Sequence, residues 1–369
     1  MKKLCCIVGA RPNFMKIAPI MRQLAKRVEN IDSMLVHTGQ HYDEVMNSLF
    51  FQQLAIPEPD VHLEVGSSSH AIQTAEIMKR FEPVIEKEKP NAILVVGDVN
   101  STIACSLVAA KQGVRIIHVE AGLRSFDRTM PEEINRILTD QLSDLLFITE
   151  KDAENNLNAE GIPSDKIHFV GNVMIDTLLH TLNETESESI IFQRHNITLP
   201  SINNSYGLVT LHRPSNVDDP ETLHGLLDTL NLISEKIPLI FPVHPRTAQR
   251  IYKTNLNEIL NKGRIIAMEP LGYLELLGLM RNAKLVLTDS GGIQEETTAL
   301  GVPCITLREN TERPITLTHG TNTLVGTNRR KILDVADDIL INGGKTGRIP
   351  EAWDGHAANR IVEIINNWL

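Results

Sequence analysis

Leu285-Val286-Leu287-Thr288-Asp289-Ser290-Gly291-Gly292-Ile293-Gln294-Glu295-Glu296 is the stretch on which the fold turns. An apolar, β-branched run ends in a polar pair, two glycines allow a tight turn, and a helical pattern follows through Leu300. A strand that turns through glycines into a helix leaves the first N–H groups of that helix pointing outward at its positive end, which makes an anion site. Ser290 adds a hydroxyl donor, and Glu296, about one and a half turns along, is placed to accept the ribose hydroxyls of a nucleotide whose diphosphate sits on Gly291 and Gly292. The same residues also suit an ordinary strand-to-helix turn with Asp289 or Ser290 as N-cap.

The strand–turn–helix unit repeats in both directions. Upstream lie Gly207–Leu211, Leu239–Val243 and Arg264–Ala267, and downstream Cys304–Leu307, with helical stretches such as Thr222–Ile233 and Ile293–Leu300 between them. An earlier series reads Leu4–Val8, Met34–Val36, Ala92–Val96, Arg115–Val119, Leu145–Ile148 and Ile167–Val170, with helices at Ile17–Val28, Ser101–Gln112 and Pro131–Ser143. Unbroken apolar strands alternating with helices specify parallel sheets covered on both faces. The pattern decays between Asp176 and Ser205, so the boundary is placed there: residues 1–175 form one doubly wound domain, residues 200–350 a second, and the helix within 352–369 returns to the first. A chain of 369 residues is long enough for two domains.

Composition excludes several roles. The chain has 46 acidic and 36 basic residues, net −10, which argues against nucleic acid as a partner. No apolar run nears the roughly 18–20 residues that span a bilayer, and the apolar stretch after Lys2-Lys3 is too short for a signal peptide. Cys5, Cys6, Cys105 and Cys304 sit in apolar runs and read as reduced core residues of a cytoplasmic protein. The 13 histidines show no metal-site spacing, so no metal is expected. Gly343-Gly344-Lys345-Thr346 mimics the end of a P-loop but follows a helix, and no Gly-x-Gly-x-x-Gly fingerprint follows the first strand.

Polar residues gather at the strand ends: Arg11, Gln40-His41, Asp98 and Glu120 in the first half, and His212-Arg213, His244 and Asp289-Ser290 in the second. Ligands of doubly wound sheets bind at that edge. Arg11, Lys16, Arg213 and Arg313 are the candidate cations for a diphosphate, and basic residues at a helix start, such as Arg11 and Lys16, oppose its dipole unless an anion binds there. Glu132 and Glu133 behind Pro131 fit ordinary helix initiation. Alternatively, Glu132 joins Asp98 and Glu120 in a cluster whose members raise one another's proton affinity.

Gly9-Ala10-Arg11-Pro12, Lys16-Ile17-Ala18-Pro19, Thr38-Gly39-Gln40-His41, Gly97-Asp98, His118 through Arg124, Met130 through Arg136, Leu211-His212-Arg213, Pro242-Val243-His244-Pro245, Thr288 through Glu296 and Thr311-Glu312-Arg313-Pro314 together resemble the non-hydrolysing UDP-N-acetylglucosamine 2-epimerases, in order along nearly the whole chain. The resemblance implies a GT-B fold, two Rossmann-like domains facing a central cleft, and a cytoplasmic homodimer. It implies reversible interconversion of UDP-GlcNAc and UDP-ManNAc for envelope polysaccharides, without a cofactor. It also implies that Arg11, His212, Ser290, Gly291, Gly292 and Arg313 hold the diphosphate and nearby sugar, Glu296 the ribose, and that Tyr273 lies near the uracil. Lys16, Asp98, Glu120, Glu132, Arg136 and His244 would line the reacting sugar. Gln40 and His41 are candidate regulatory residues, although Tyr42-Asp43 departs from the Arg-Glu that follows Gln-His in many bacterial members.

The substrate's chemistry narrows the route. The C2 hydrogen has no neighbouring carbonyl, so inversion requires either transient oxidation or elimination of UDP to 2-acetamidoglucal followed by re-addition. The missing dinucleotide fingerprint weakens the oxidation route, and the resemblance implies elimination. Asp98 and Glu120 are the leading acid/base candidates, with Glu132 in support and His212 at the departing phosphate. The alternatives are a hydrolysing 2-epimerase that releases ManNAc and UDP, and a GT-B UDP-sugar glycosyltransferase.

Overall fold

The structure, a computed structural model, describes residues 1–27, 29–40, 51–199, 205–260 and 262–369. The chain forms two compact units, Met1–His180 with Glu351–Leu369, and Thr181–Pro350. Among the described residues no helix is long and apolar enough to cross a membrane.

Among the described residues of the first unit seven parallel strands lie in the order β3-β2-β1-β4-β5-β6-β7: β1 Lys2–Val8, β2 Ile31–His37, β3 Val61–His62, β4 Ala92–Val96, β5 Arg115–Val119, β6 Leu145–Ile148 and β7 Ile167–Phe169. Every residue of β4 and β6 is buried, as an unbroken apolar run covered on both faces requires. The Asn100–Lys111 helix is buried almost all round, while the His70–Glu88 helix buries one stripe, Gln73, Ile77, Phe81 and Ile85. In the second unit six parallel strands lie in the order β10-β9-β8-β11-β12-β13: β8 Gly207–Thr210, β9 Leu239–Pro242, β10 Ile265–Met268, β11 Leu285–Thr288, β12 Cys304–Thr306 and β13 Asn322–Leu324. Both sheets are doubly wound. Strand order reverses between β1 and β4 in one and between β8 and β11 in the other, and ligands of such sheets bind at those reversals.

Some boundaries differ from the sequence reading. The first helix begins at Arg11 rather than Ile17 and runs to Leu24. Pro12 fits its first turn, where no N–H is needed, and Asn13 accepts from the Gly9 and Ala10 amides at 3.2 and 3.1 Å. The edge strands β3 and β13, of two and three residues, are too short to carry a period. Within the stretch read as decayed pattern, the Glu188–Arg194 helix buries Ile191 against Tyr206, Leu279 and Met280. The four cysteines are buried and unpaired.

The final helix, Ala357–Trp368, is anchored in the first unit by Asp176, whose carboxylate accepts from the Ala357 and Ala358 amides at 3.1 and 2.7 Å. Burial outweighs those bonds and pushes the Asp176 carboxyl up to about 6. A folded-state value above the unfolded one near 3.9 favours the native protein at low pH, and the advantage is lost as pH rises through about 6. Asp176→Asn is therefore expected to flatten the unfolding free energy between pH 4 and 6 by about 3 kcal/mol, as read from denaturant titrations at each pH.

Candidate functional site

At the reversal point of the first sheet, three segments converge. Asn13, in the first turn after β1, donates from Nδ2 to the Val96 carbonyl at 2.9 Å and so ties the β1 turn to the end of β4. Lys16, one turn further on, reaches Glu120 Oε1 at 2.7 Å, and both residues are buried. Gly97 has φ +67°, a conformation that favours glycine, and a β-carbon there would stand 2.7 Å from Lys16 Nζ. Glu120 itself is left-handed at φ +72°, a conformation a glutamate adopts at a cost of about 1–3 kcal/mol when its surroundings over-determine it.

Asp98 follows Gly97, and its Oδ2 accepts from Arg136 Nη2 at 2.5 Å. Arg136 also donates to Glu133 Oε2 at 2.5 Å, and the Glu133 carboxylate accepts the amides of Ser125 and Phe126. The Asp98 side chain keeps 18% of its surface exposed, whereas that of Glu120 keeps none. Glu132 lies half-buried in the first turn of the Pro131–Leu142 helix, where the positive dipole end favours a carboxylate. Direct bonds thus form two pairs, Lys16 with Glu120 and Arg136 with Asp98, whose carboxylates lie on loops at neighbouring strand ends. The Arg11 backbone opens the first helix, but its side chain lies outside the described residues, as does His41. Gln40 is buried, its Oε1 accepting from the Ser101 amide and hydroxyl at 3.1 and 2.8 Å.

The second unit builds its site on β8 and β11. Asp289 is fully buried at the end of β11. Its carboxylate accepts from the His212 and Arg213 amides and from Asn216 Nδ2, and stands 3.0 Å from His212 Nδ1. Despite burial, these partners, His212 foremost, hold the Asp289 carboxyl below its ordinary value. His244 caps the Pro245–Lys253 helix through Nδ1, accepting from the Arg246 amide at 3.2 Å, and its ring lies 5.5 Å from that of His212.

Beyond Asp289, Ser290 occupies the N-cap position of the Gly291–Leu300 helix yet makes no side-chain capping bond. The Ser290 hydroxyl is therefore not spent on the amides of its own helix. A β-carbon on Gly291 would meet Glu312 Oε1 at 2.7 Å, so the turn packs directly on a charged cluster. There Arg308 Nη2 bonds Glu312 at 2.8 Å, Arg213 approaches it at 3.8 Å, and Arg313 pairs with Glu295 at 2.8 Å. Burial alone would raise the Glu312 carboxyl, but Arg313, Arg308 and Arg213 hold it well below the carboxylate range. Tyr273 donates to Glu296 Oε1 at 3.1 Å. Burial, with the neighbouring Glu295 adding to it, pushes Glu296 up to about 8 against that bond.

Sequence reasoning missed Asn13, Glu133, Arg308 and Glu312 as organising groups. Glu133 was detectable at i,i+3 from Arg136, whereas the Arg308–Glu312 pair joins the site through the turn at Gly291 and through Arg213, neither of which is near it in sequence.

Comparison with known proteins identifies the relatives. The family model described as UDP-N-acetylglucosamine 2-epimerase matches residues 23–366. A UDP-N-acetylglucosamine 2-epimerase of Methanocaldococcus jannaschii is 44% identical over 366 residues, 98% of each chain. A UDP-2,3-diacetamido-2,3-dideoxy-D-glucuronate 2-epimerase of Pseudomonas aeruginosa is 41% identical over 370 residues, covering 98% of this chain and 99% of that one. The crystal structure of the Methanocaldococcus jannaschii UDP-GlcNAc 2-epimerase in complex with UDP-GlcNAc and UDP superposes with a TM-score of 0.91 at 44% identity, covering 99% of both chains.

Proposed function

We propose that this chain, which belongs to the UDP-N-acetylglucosamine 2-epimerase family, inverts C2 of UDP-GlcNAc to give UDP-ManNAc, reversibly and without releasing free sugar. The reading rests above all on one observation: a carboxylate set, Asp98 and Glu120 held by Arg136 and Lys16, stands at the reversal point of the first sheet. A glycosyl transfer to an acceptor has no use for two such held acids.

UDP is held by the second unit. The N–H groups at Gly291 and Gly292, the Ser290 hydroxyl, His212 and Arg313 take the diphosphate, Glu296 the ribose, and Tyr273 the neighbourhood of the base. Arg11, Lys16, Arg136 and His244 bind the sugar and its phosphate link. A carboxylate, Asp98 or Glu120, removes the C2 proton. The C2–H electron pair becomes the C1=C2 bond, the C1–O bond breaks, and UDP departs with its pair, its new charge stabilised by the fixed donors and by His212. UDP then re-adds at C1 while the other acid, which enters the cycle as the protonated carboxylic acid, delivers that proton to the opposite face of C2, and exchange with solvent resets the pair, with Glu132 in support. The enzyme works in the cytoplasm as a homodimer feeding envelope polysaccharide synthesis, and light scattering is expected to give twice the chain mass.

Product analysis tests the reading. With UDP-GlcNAc alone, UDP-ManNAc should accumulate to an equilibrium. Free ManNAc with UDP would make the enzyme a hydrolase, and no turnover without an acceptor would make it a transferase. Linkage gives a second check. Glu296, at about 8, is mostly protonated at pH 7, and ribose hydroxyls donate to its ionised form, so UDP binding releases a proton. Affinity should rise with pH up to about 8 and then level off. Calorimetry at pH 7 in two buffers of different ionisation heat should show the release in the wild type and lose it in Glu296→Gln.

A further inference from the structure

His118 lies on β5, two residues before Glu120, and is fully buried. Its Nε2 faces the Gly97 carbonyl at 2.9 Å and its Nδ1 faces Asp140 Oδ1 at 2.7 Å. A carbonyl only accepts. Asp140 is also fully buried, and its other oxygen accepts from the Gly122 amide at 3.1 Å and stands 2.7 Å from Arg124 Nη2. Burial would raise the Asp140 carboxyl, but His118 and Arg124 hold it below its ordinary value, so it too accepts only. Arg124 closes the array with two bonds to Glu160 at 2.8 and 2.6 Å. The His118 ring is thus held between two acceptors, one facing each nitrogen.

The array touches each loop that carries a proposed acid. Gly97 immediately precedes Asp98, Gly122 follows Glu120 by two residues, and Asp140 lies on the helix that supplies Glu132 and Arg136. We infer that His118 is a positioning residue for the epimerisation: its ring, clamped between Asp140 and the Gly97 carbonyl, fixes the Gly97 and Gly122 loops so that Asp98 and Glu120 keep their separation during proton removal and return. The inference rests on those two carboxylates acting at C2.

Misplaced acids let the intermediate escape before it is reprotonated, and the escape ratio does not depend on how much enzyme is folded. In His118→Ala and Asp140→Ala, kcat should fall about 10–100-fold with KM within threefold. The ratio of 2-acetamidoglucal released to UDP-ManNAc formed should rise at least tenfold. Asp140→Asn, which sets an amide donor among the His118 ring, the Gly122 amide and Arg124, should behave as the alanine variants do. A fall in kcat at unchanged ratio would overturn the inference. Should the alanine variants fail to fold, nitrogen-15 NMR of the wild-type ring decides: an Nδ1–H bonded to Asp140 is expected, and an Nδ1 without a proton refutes the clamp. A wild type that forms no UDP-ManNAc would instead refute the function.

Discussion

Asp98→Asn and Glu120→Gln are each expected to lower kcat by about 10²–10⁴-fold, the usual worth of a positioned acid or base, while UDP affinity stays within about twofold. Both substitutions keep shape and remove a proton site. Asparagine at 98 still accepts from Arg136, and glutamine at 120 still offers Lys16 an oxygen, so the loops around Gly97 and Gly122 have no reason to move. UDP contacts assigned to Gly291, His212 and Glu296 belong to the other unit and should not register the change. Steady-state kinetics beside UDP titration calorimetry reads both quantities. Turnover within tenfold of wild type in either variant would remove that carboxylate from the chemistry.

Asp289→Asn is expected to cost both turnover and ligand. The carboxylate receives two backbone amides, an asparagine amide and the His212 ring, a set that only an acceptor at both oxygens can satisfy. Asparagine turns one oxygen into a donor facing donors, leaving buried N–H groups unmet at roughly 1–3 kcal/mol each. The His212-Arg213 turn should swing away, lowering kcat/KM about 100-fold and UDP affinity about tenfold, with a drop in melting temperature. Kinetics, calorimetry and thermal melts together test this. An unchanged affinity would show that the turn does not depend on Asp289.

The architecture was readable because it rests on burial. Runs such as Ala92–Val96 and Leu285–Thr288 are apolar without a break, and only a strand covered on both faces needs that. β3 and β13 escaped notice for the opposite reason: as short edge strands they bury little and carry no period. The apolar period of the first helix is clear only from Ile17, although its basic start at Arg11 is legible and the chain carries Pro12 and Pro19 through. At the site, residue types at strand ends were legible, but their pairings were not. Lys16 was read as waiting for an anion, whereas in the structure Glu120 meets it. The clamp of His118 on Asp140 joins residues 22 apart in sequence, and Arg136 reaches Asp98 across 38. Such contacts follow from which strands are neighbours, which no local spacing encodes.

The account stands on a proton leaving C2 and another arriving from solvent-exchanged acids. Epimerisation of UDP-GlcNAc in deuterated water, followed by proton NMR at C2, reads that step directly. The UDP-ManNAc formed should carry deuterium at C2, appearing as fast as the new epimer does. Product that retains protium at C2 would mean the hydrogen never left as a proton, and the elimination route would be wrong.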